Sequence, residues 1–221
     1  MPSVSKTDLL GLAVRRGVLA KRRMPPLCII YHSTGSGPWS RSKADPARFP
    51  TPFDAALWLY LFAMLDCPHV LICGETGRKA RLCPDNLGAR HVGSAEHRRY
   101  RHRSESTYWK GLFPGRESPI ELVGGRLWAS HSVNNVSLGV EVAPAREGPR
   151  RPWKDLVYPV LAEQAREWVS LYQIPVDAEY NLTHFEAHPV ARTSELGRPY
   201  DTVEGQFDKG RLLRLLAAGG S

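Results

Sequence analysis

The sequence has 221 residues, of which 42% are hydrophobic, and its formal net charge is +8 at pH 7. This length and composition predict one domain with an ordinary apolar core, and no run of about 20 apolar residues predicts a membrane span. The positive charge favours an anionic partner, which could be nucleic acid or the acidic polymers of a bacterial cell wall.

The first predicted element is a basic amphipathic segment over residues 1–23. Its basic side chains follow its apolar ones, which is the reverse of their order in a secretory signal peptide. We therefore expect synthesis in the cytoplasm without a signal peptide. Residues 24–221 are expected to form a single domain.

Predicted strands and helices are mixed along that domain. Short β-branched apolar runs predict the strands, and apolar residues at three-to-four spacing predict the helices. The strands are expected at residues 27–31, 69–73, 79–82, 137–142 and 180–183, and the helices at residues 52–65, 156–172 and 209–217. The fold class is therefore α/β, with a central mixed β-sheet flanked by helices.

Residues 97–116 form a predicted insertion in which arginines and lysine alternate with Tyr100, Tyr108 and Trp109. This composition is typical of a solvated loop, but it could also stack on sugar rings or bind single-stranded nucleic acid. The sequence contains no recognised nucleic-acid motif, so nucleic acid is not favoured as the partner. The four cysteines lack metal-binding spacing and are expected to be reduced core residues.

Two histidines are candidate ligands of a metal ion. His32 ends a buried apolar strand before a glycine-serine turn, His184 ends a second short strand, and Asp201 follows in the next loop. Two imidazoles and one carboxylate form a ligand set of catalytic zinc sites, although a lone histidine at a strand end is more often structural. Glu141 ends another apolar strand, so it is either an edge residue facing water or a catalytic base facing a cleft.

Several segments, in this order, resemble the type-2 zinc-dependent N-acetylmuramoyl-L-alanine amidases. This superfamily includes the phage lysozymes of amidase type and the peptidoglycan recognition proteins. The matching segments are residues 29–34, the hairpin at 69–82, residues 89–93, residues 134–141, residues 182–186, and Asp201 with Gly205. Each segment is a weak signal alone, but together they cover residues 27–208 with a long helix in the expected place.

The resemblance implies a single amidase domain that cleaves the amide bond between N-acetylmuramic acid and L-alanine in peptidoglycan. It implies a Zn²⁺ ion on His32, His184 and Asp201, with Glu141 as the catalytic acid-base. The substrate-binding residues that it implies are His91, Arg90 and Asn135.

The chain departs from the pattern of the family at three places. Arg90 replaces a tryptophan, and Pro199 stands where the family has a lysine, so Arg198 is the nearest cation that could stabilise an oxyanion. The loop before Asp201 is long, and Asp208 competes with Asp201 as the third ligand.

Two alternatives remain open from the sequence: a peptidoglycan-binding protein without catalysis, and a nucleic-acid-binding module that uses residues 97–116. An amidase could act as an endolysin on the cell wall after release, as a cytoplasmic enzyme that recycles muropeptides, or as a delivered toxin. The net charge favours the endolysin-like setting, in which the enzyme meets anionic wall polymers. The oligomeric state is not predicted.

Overall fold

The structure, a computed structural model, describes residues 20–22, 25–63, 67–89, 91, 134, 136–187 and 206–219. The strands in these residues are β1 (Ala20–Lys21), β2 (Cys28–Ser33), β3 (Val70–Cys73), β4 (Lys79–Arg81), β5 (Leu87–Gly88), β6 (Ser137–Ala143) and β7 (Asn181–Thr183). The helices are α1 (Ser36–Ala44), α2 (Pro52–Trp58), which continues as a π-helical turn over Leu59–Ala63, α3 (Val157–Tyr172), α4 (His184–Ala187) and α5 (Lys209–Ala218).

Five of these strands form a central mixed sheet in the order β4-β3-β6-β2-β7. Strands β3, β6, β2 and β7 are parallel, and β4 pairs with β3 in the antiparallel direction. Strands β1 and β5 form a separate antiparallel pair. The predicted α/β class, with a mixed sheet flanked by helices, is confirmed.

One face of the sheet packs against α3 and α5 and forms the larger apolar core. Side chains alternate between the two faces of a strand, so Ile29 and Tyr31 of β2 join this core. Leu161 and Trp168 of α3 are completely buried against it. The three-to-four spacing that predicted α3 therefore describes the stripe with which the helix covers the sheet.

The opposite face carries a smaller apolar cluster, in which Phe53 and Ala56 of α2 pack near Leu71 and Cys73 of β3. Helix α2 begins at a capping box: the Asp54 amide donates to Thr51 Oγ1 at 3.2 Å, and the Thr51 amide donates to Asp54 Oδ2 at 3.1 Å. His32 and Glu141 alternate with the residues of the larger core, so they belong to this second face.

The structure differs from the elements expected from the sequence at three places. Helix α1 was not predicted because its glycines and Pro38 indicate a turn, yet Pro38 lies in the first turn, where a helix needs no amide donor. The predicted helix at 52–65 is α-helical only to Trp58 and then becomes a π-turn. Ala20 and Lys21, at the end of the segment predicted to be an amphipathic helix, form a strand, and residues 1–19 lie outside the described part.

The predicted burial of the cysteines agrees with the described residues. All four cysteines are buried thiols, and burial raises the pKa of the Cys28 thiol to about 12, so this thiol stays protonated at neutral pH. Within the described ranges, no helix has the length and apolar character needed to cross a membrane.

Arg22 donates hydrogen bonds to three backbone carbonyls in two other parts of the chain. Its guanidinium donates to the carbonyl oxygens of Asp85 and Ser137, each at 2.6 Å, and of Asn134 at 3.2 Å. Burial lowers the pKa of Arg22 to about 10, which still leaves it cationic at neutral pH. The planar fork of donors suits three carbonyls in a way that a single ammonium group does not.

Arg22→Lys is therefore expected to lower the free energy of unfolding by about 2 kcal/mol, because buried carbonyls lose charge-assisted hydrogen bonds. Urea denaturation measures this loss. Arg151→Lys, at an exposed position, is the matched control and should change stability by less than about 0.5 kcal/mol. Equal stabilities of the two variants would show that the Arg22 contacts contribute nothing.

Candidate active site

Three candidate residues lie in one row across neighbouring parallel strands. His32 of β2 is in register with Glu141 of β6. On the other side of β2, Tyr31 is in register with Thr183 of β7, so His184 follows at the next position. The row lies towards the carboxyl ends of the strands, which is where open α/β sheets place their binding sites.

The two histidines of this row face each other. His32 Nδ1 lies 2.7 Å from His184 Nδ1, and the ring centroids are 4.3 Å apart with an angle of 73° between the ring planes. His32 is 1% exposed and His184 is 2% exposed. Two tetrahedral zinc ligands hold their nitrogens about 3.3 Å apart, so small movements of the rings would admit a metal between them.

The described residues supply this imidazole pair but no group of three or more side chains that could hold a metal ion. The predicted third ligand, Asp201, lies outside the described residues, and so do Arg198, Arg90 and Asn135. The imidazole pair suits zinc in its donor type and direction. The assignments of the four other residues stay predictions.

Glu141 is the carboxylate of the row. The prediction that Glu141 ends a strand is wrong, because β6 continues to Ala143 in the middle of the sheet. With 8% exposure, Glu141 is not an edge residue that faces bulk water. Its Cα position is paired with His32 on one side and with Leu71 on the other. The register places Glu141 beside His32 in this row, and its role as the catalytic acid-base stays a prediction.

His91 lies behind His32 and is also buried, with 8% exposure. Its Nδ1 is 2.9 Å from His32 Nε2, and its Nε2 is 3.1 Å from Ser137 Oγ. Burial and the neighbouring imidazoles hold the pKa of His91 well below 6.5, so the ring is neutral. The predicted contact of His91 with substrate stays a prediction, because these contacts are all within the protein.

His69 is a structural histidine next to this group. The Gly139 amide donates to His69 Nδ1 at 2.9 Å, and His69 Nε2 lies 3.1 Å from the Leu87 carbonyl oxygen. Burial, with a smaller effect of the Arg22 cation, lowers the pKa of His69 to about 3. The ring therefore stays neutral in the folded protein at any pH near neutrality.

The backbone at His184 is fixed by a capping box around α4. The Thr183 amide donates to Glu186 Oε2 at 2.7 Å, and the Glu186 amide donates to Thr183 Oγ1 at 3.1 Å. Lys209 Nζ donates to the same carboxylate at 2.9 Å and to the Ala178 carbonyl oxygen at 2.7 Å. Glu186 therefore holds the turn that carries His184.

The comparisons with known proteins concern the fold. No family model matches the sequence, and no curated protein matches it. Among solved structures, a selenomethionine derivative of AmpD matches with a TM-score of 0.50 at 18% identity over 90% of each chain. The chain has the fold of AmpD. The resemblance inferred from the sequence is thereby confirmed at the level of the fold.

Two structures of PlyL also match at lower TM-scores. A point mutant gives 0.43 at 14% identity, covering 93% of this chain and 94% of the PlyL chain. PlyL itself gives 0.42 at 16% identity, covering 94% of this chain and 86% of the PlyL chain.

Sequence reasoning missed the residues that hold His91 and its neighbours in place next to the row. Arg22 was interpreted only as part of a basic segment, although it donates to the carbonyls of Asn134 and Ser137. The Asn134 side chain in turn accepts from the His91 amide at 3.1 Å. A single arginine in a basic segment carries no signal for such contacts. A glycine within a buried strand, as at Gly139, does indicate a close approach by another group.

The low pKa of His69 predicts a pH dependence of stability. The unfolded state gains the proton near pH 6.5 and the folded state only near pH 3. Stability from this group is therefore fully present above pH 6.5 and is lost as the pH falls towards 3. The expected slope is about 1.4 kcal/mol per pH unit for each such imidazole.

His69→Asn tests this expectation, since the asparagine oxygen can still accept from the Gly139 amide while the titrating group is removed. Urea denaturation between about pH 6 and pH 4 should give a slope for the variant that is shallower by about 1.4 kcal/mol per pH unit. Identical slopes for the variant and the wild type would contradict the assignment.

Proposed function

We propose that this protein is a zinc-dependent N-acetylmuramoyl-L-alanine amidase, which cleaves the amide bond between N-acetylmuramic acid and L-alanine in peptidoglycan. The observation that carries the proposal is the buried pair of imidazoles, with Nδ1 atoms 2.7 Å apart, in one row with Glu141. The fold that the chain shares with AmpD and the amidase resemblance of the sequence support the same proposal.

His32 and His184 would hold the zinc ion, and Asp201 is proposed as the third ligand. Imidazole nitrogens with one carboxylate leave a fourth position open, as catalytic zinc sites require. The metal would supply Lewis-acid activation of the scissile carbonyl and of water. Because both imidazoles are almost completely buried, charge that develops beside them is poorly screened by solvent.

Glu141 would act as the acid-base group that transfers a proton from water to the leaving nitrogen. Hydrolysis forms a bond between a water oxygen and the carbonyl carbon and breaks the bond from that carbon to the amide nitrogen. Glu141 would accept the proton that the water loses and return it to the leaving nitrogen. Arg198 is proposed to donate hydrogen bonds to the oxyanion that forms between these steps.

Substrate binding is proposed to involve His91, Arg90 and Asn135. The net charge of +8 supports an anionic polymer as the target, because peptidoglycan carries carboxylates in its stem peptides. We therefore propose an endolysin-like action on cell wall after release.

The proposal is tested by measuring bound zinc and the release of free stem peptide from purified peptidoglycan. The wild type should hold one zinc per chain, and His184→Ala should lose both the zinc and the activity. Glu141→Gln should keep the zinc and lower turnover by about 10²- to 10⁴-fold, as expected for loss of an acid-base group. Glu163→Gln, on the exposed side of α3, is the matched carboxylate control and should keep full activity.

The outcomes separate the alternatives. A fully zinc-loaded protein that binds peptidoglycan but releases no stem peptide would contradict the enzymatic assignment and support a binding protein. Turnover of soluble muropeptides alone, with none from intact wall, would support a recycling amidase in place of an endolysin. Binding of nucleic acid that weakens steeply with salt, without turnover of muropeptide, would support the nucleic-acid module.

A further inference from the structure

The two ring nitrogens of His32 have different neighbours. Nδ1 faces His184 Nδ1 at 2.7 Å, on the side where the metal is proposed to bind. Nε2 faces His91 Nδ1 at 2.9 Å, and the two rings meet edge to face at 89° with their centroids 5.1 Å apart. His91 therefore contacts the nitrogen of His32 that points away from the proposed metal.

His91 is itself held from two further directions. Its Nε2 lies 3.1 Å from Ser137 Oγ on β6. Its backbone amide donates to Asn134 Oδ1 at 3.1 Å. Ring and backbone are both anchored, so the position of Nδ1 relative to His32 is fixed by the protein.

Gly139 provides the space for the His91 ring. A Cβ atom at this position would lie 2.4 Å from His91 Cγ and 2.6 Å from His91 Nδ1, which is far inside van der Waals contact. The backbone of Gly139 is not in the left-handed region, so the glycine is required for space and not for its conformation. The ring of His91 can lie this close to β6 only because this residue has no side chain.

The placement of protons follows from counting donors and acceptors. A neutral imidazole has one N–H donor and one lone pair, so hydrogen bonds through His32 and His91 must all run in one direction. If His32 Nδ1 keeps its lone pair for a metal, Nε2 carries the proton and donates to His91 Nδ1. His91 Nε2 then donates a hydrogen bond to Ser137 Oγ, since a hydroxyl oxygen can accept one.

We propose that His91 is a positioning residue, which holds His32 in the tautomer with the proton on Nε2 and so presents the Nδ1 lone pair towards His184. Histidines that bind metals are commonly oriented by an acceptor on their second nitrogen. This inference rests on the proposed metal site. It is separate from the proposed part of His91 in substrate binding, because here the residue acts through His32.

The first measurement uses the metal-free wild-type protein. The ¹⁵N chemical shifts of the His32 ring, read from long-range ¹H–¹⁵N correlations, should show the proton on Nε2. A His32 ring with its proton on Nδ1 would overturn the inference. This measurement does not depend on zinc binding, so it separates a failure of the inference from a failure of the proposed function.

The second measurement is the dissociation constant for zinc, obtained by competition with a chelator. His91→Leu removes the acceptor and should weaken zinc binding by about 10- to 100-fold. His91→Asn, which places an acceptor oxygen near the position of Nδ1, should restore affinity to within a few-fold of the wild type.

A third variant displaces the ring without changing it. Gly139→Ala should weaken zinc binding as His91→Leu does, because the new Cβ pushes His91 away from His32. Gly210→Ala in α5, where a Cβ would meet only ordinary contacts at 3.4 Å, is the matched control and should leave affinity unchanged. Denaturation curves confirm that each variant is folded.

Two results would overturn the inference while leaving the proposed function intact. One is a folded His91→Leu protein that binds zinc as tightly as the wild type. The other is a Gly139→Ala protein with unchanged affinity and an unchanged His32 tautomer. Absence of zinc from the wild type would instead contradict the proposed metal site.

Discussion

The pairing of β2 with a parallel strand on each side determines where the chemistry of this protein can lie. Parallel strands bring their carboxyl ends to the same edge of a sheet, so residues near the carboxyl ends of β6, β2 and β7 meet although they are far apart in sequence. The register then sets which residues share a row. A shift of β2 by one residue would move His32 to the opposite face, among the apolar side chains beneath α3.

The two faces of the sheet contribute differently to the stability of the fold. The face under α3 and α5 supplies most of the apolar burial, with Trp168 and Leu161 completely enclosed. The other face can therefore hold buried polar groups whose desolvation is unfavourable unless they are hydrogen-bonded. Both ring nitrogens of His32 and of His91 have such partners. A buried polar network of this kind favours a single arrangement, because any other leaves a donor or an acceptor without a partner.

The sequence predicts the parts of the fold that depend on local pattern. The strands of the sheet and helix α3 are where alternation or three-to-four spacing places them, and the ends of β2 and β7 lead directly to His32 and His184. Helix α1 is not predicted from local pattern, because its glycines and proline suit a turn as well as a first helical turn. The roles of Arg22 and of Gly139 depend on contacts between residues more than 40 positions apart; the local pattern at Gly139 indicates a close approach but does not identify His91 as the group that approaches.

The order of the strands in the sheet cannot be predicted from local pattern, and only the resemblance to a family suggests it. Nothing in the apolar pattern states that β2 lies between β6 and β7, and without that order His32, Glu141 and His184 are three unrelated residues. The pairing registers bring them into one row. The fold shared with AmpD supports the same order independently of any sequence match, since identity is only 18%.

An ion pair joins the two ends of the segment between α4 and α5. Glu186, which lies just before residues 188–205, binds Lys209, which lies just after them, at 2.9 Å. The same carboxylate caps the turn that carries His184. Because one ion pair joins its two ends, the entropy cost of closing this segment of the chain is reduced. Asp201 and Arg198, the proposed third ligand and oxyanion donor, both belong to this segment, so Glu186 would serve the proposed site twice: it holds the turn that carries His184, and through Lys209 it brings the ends of the segment together.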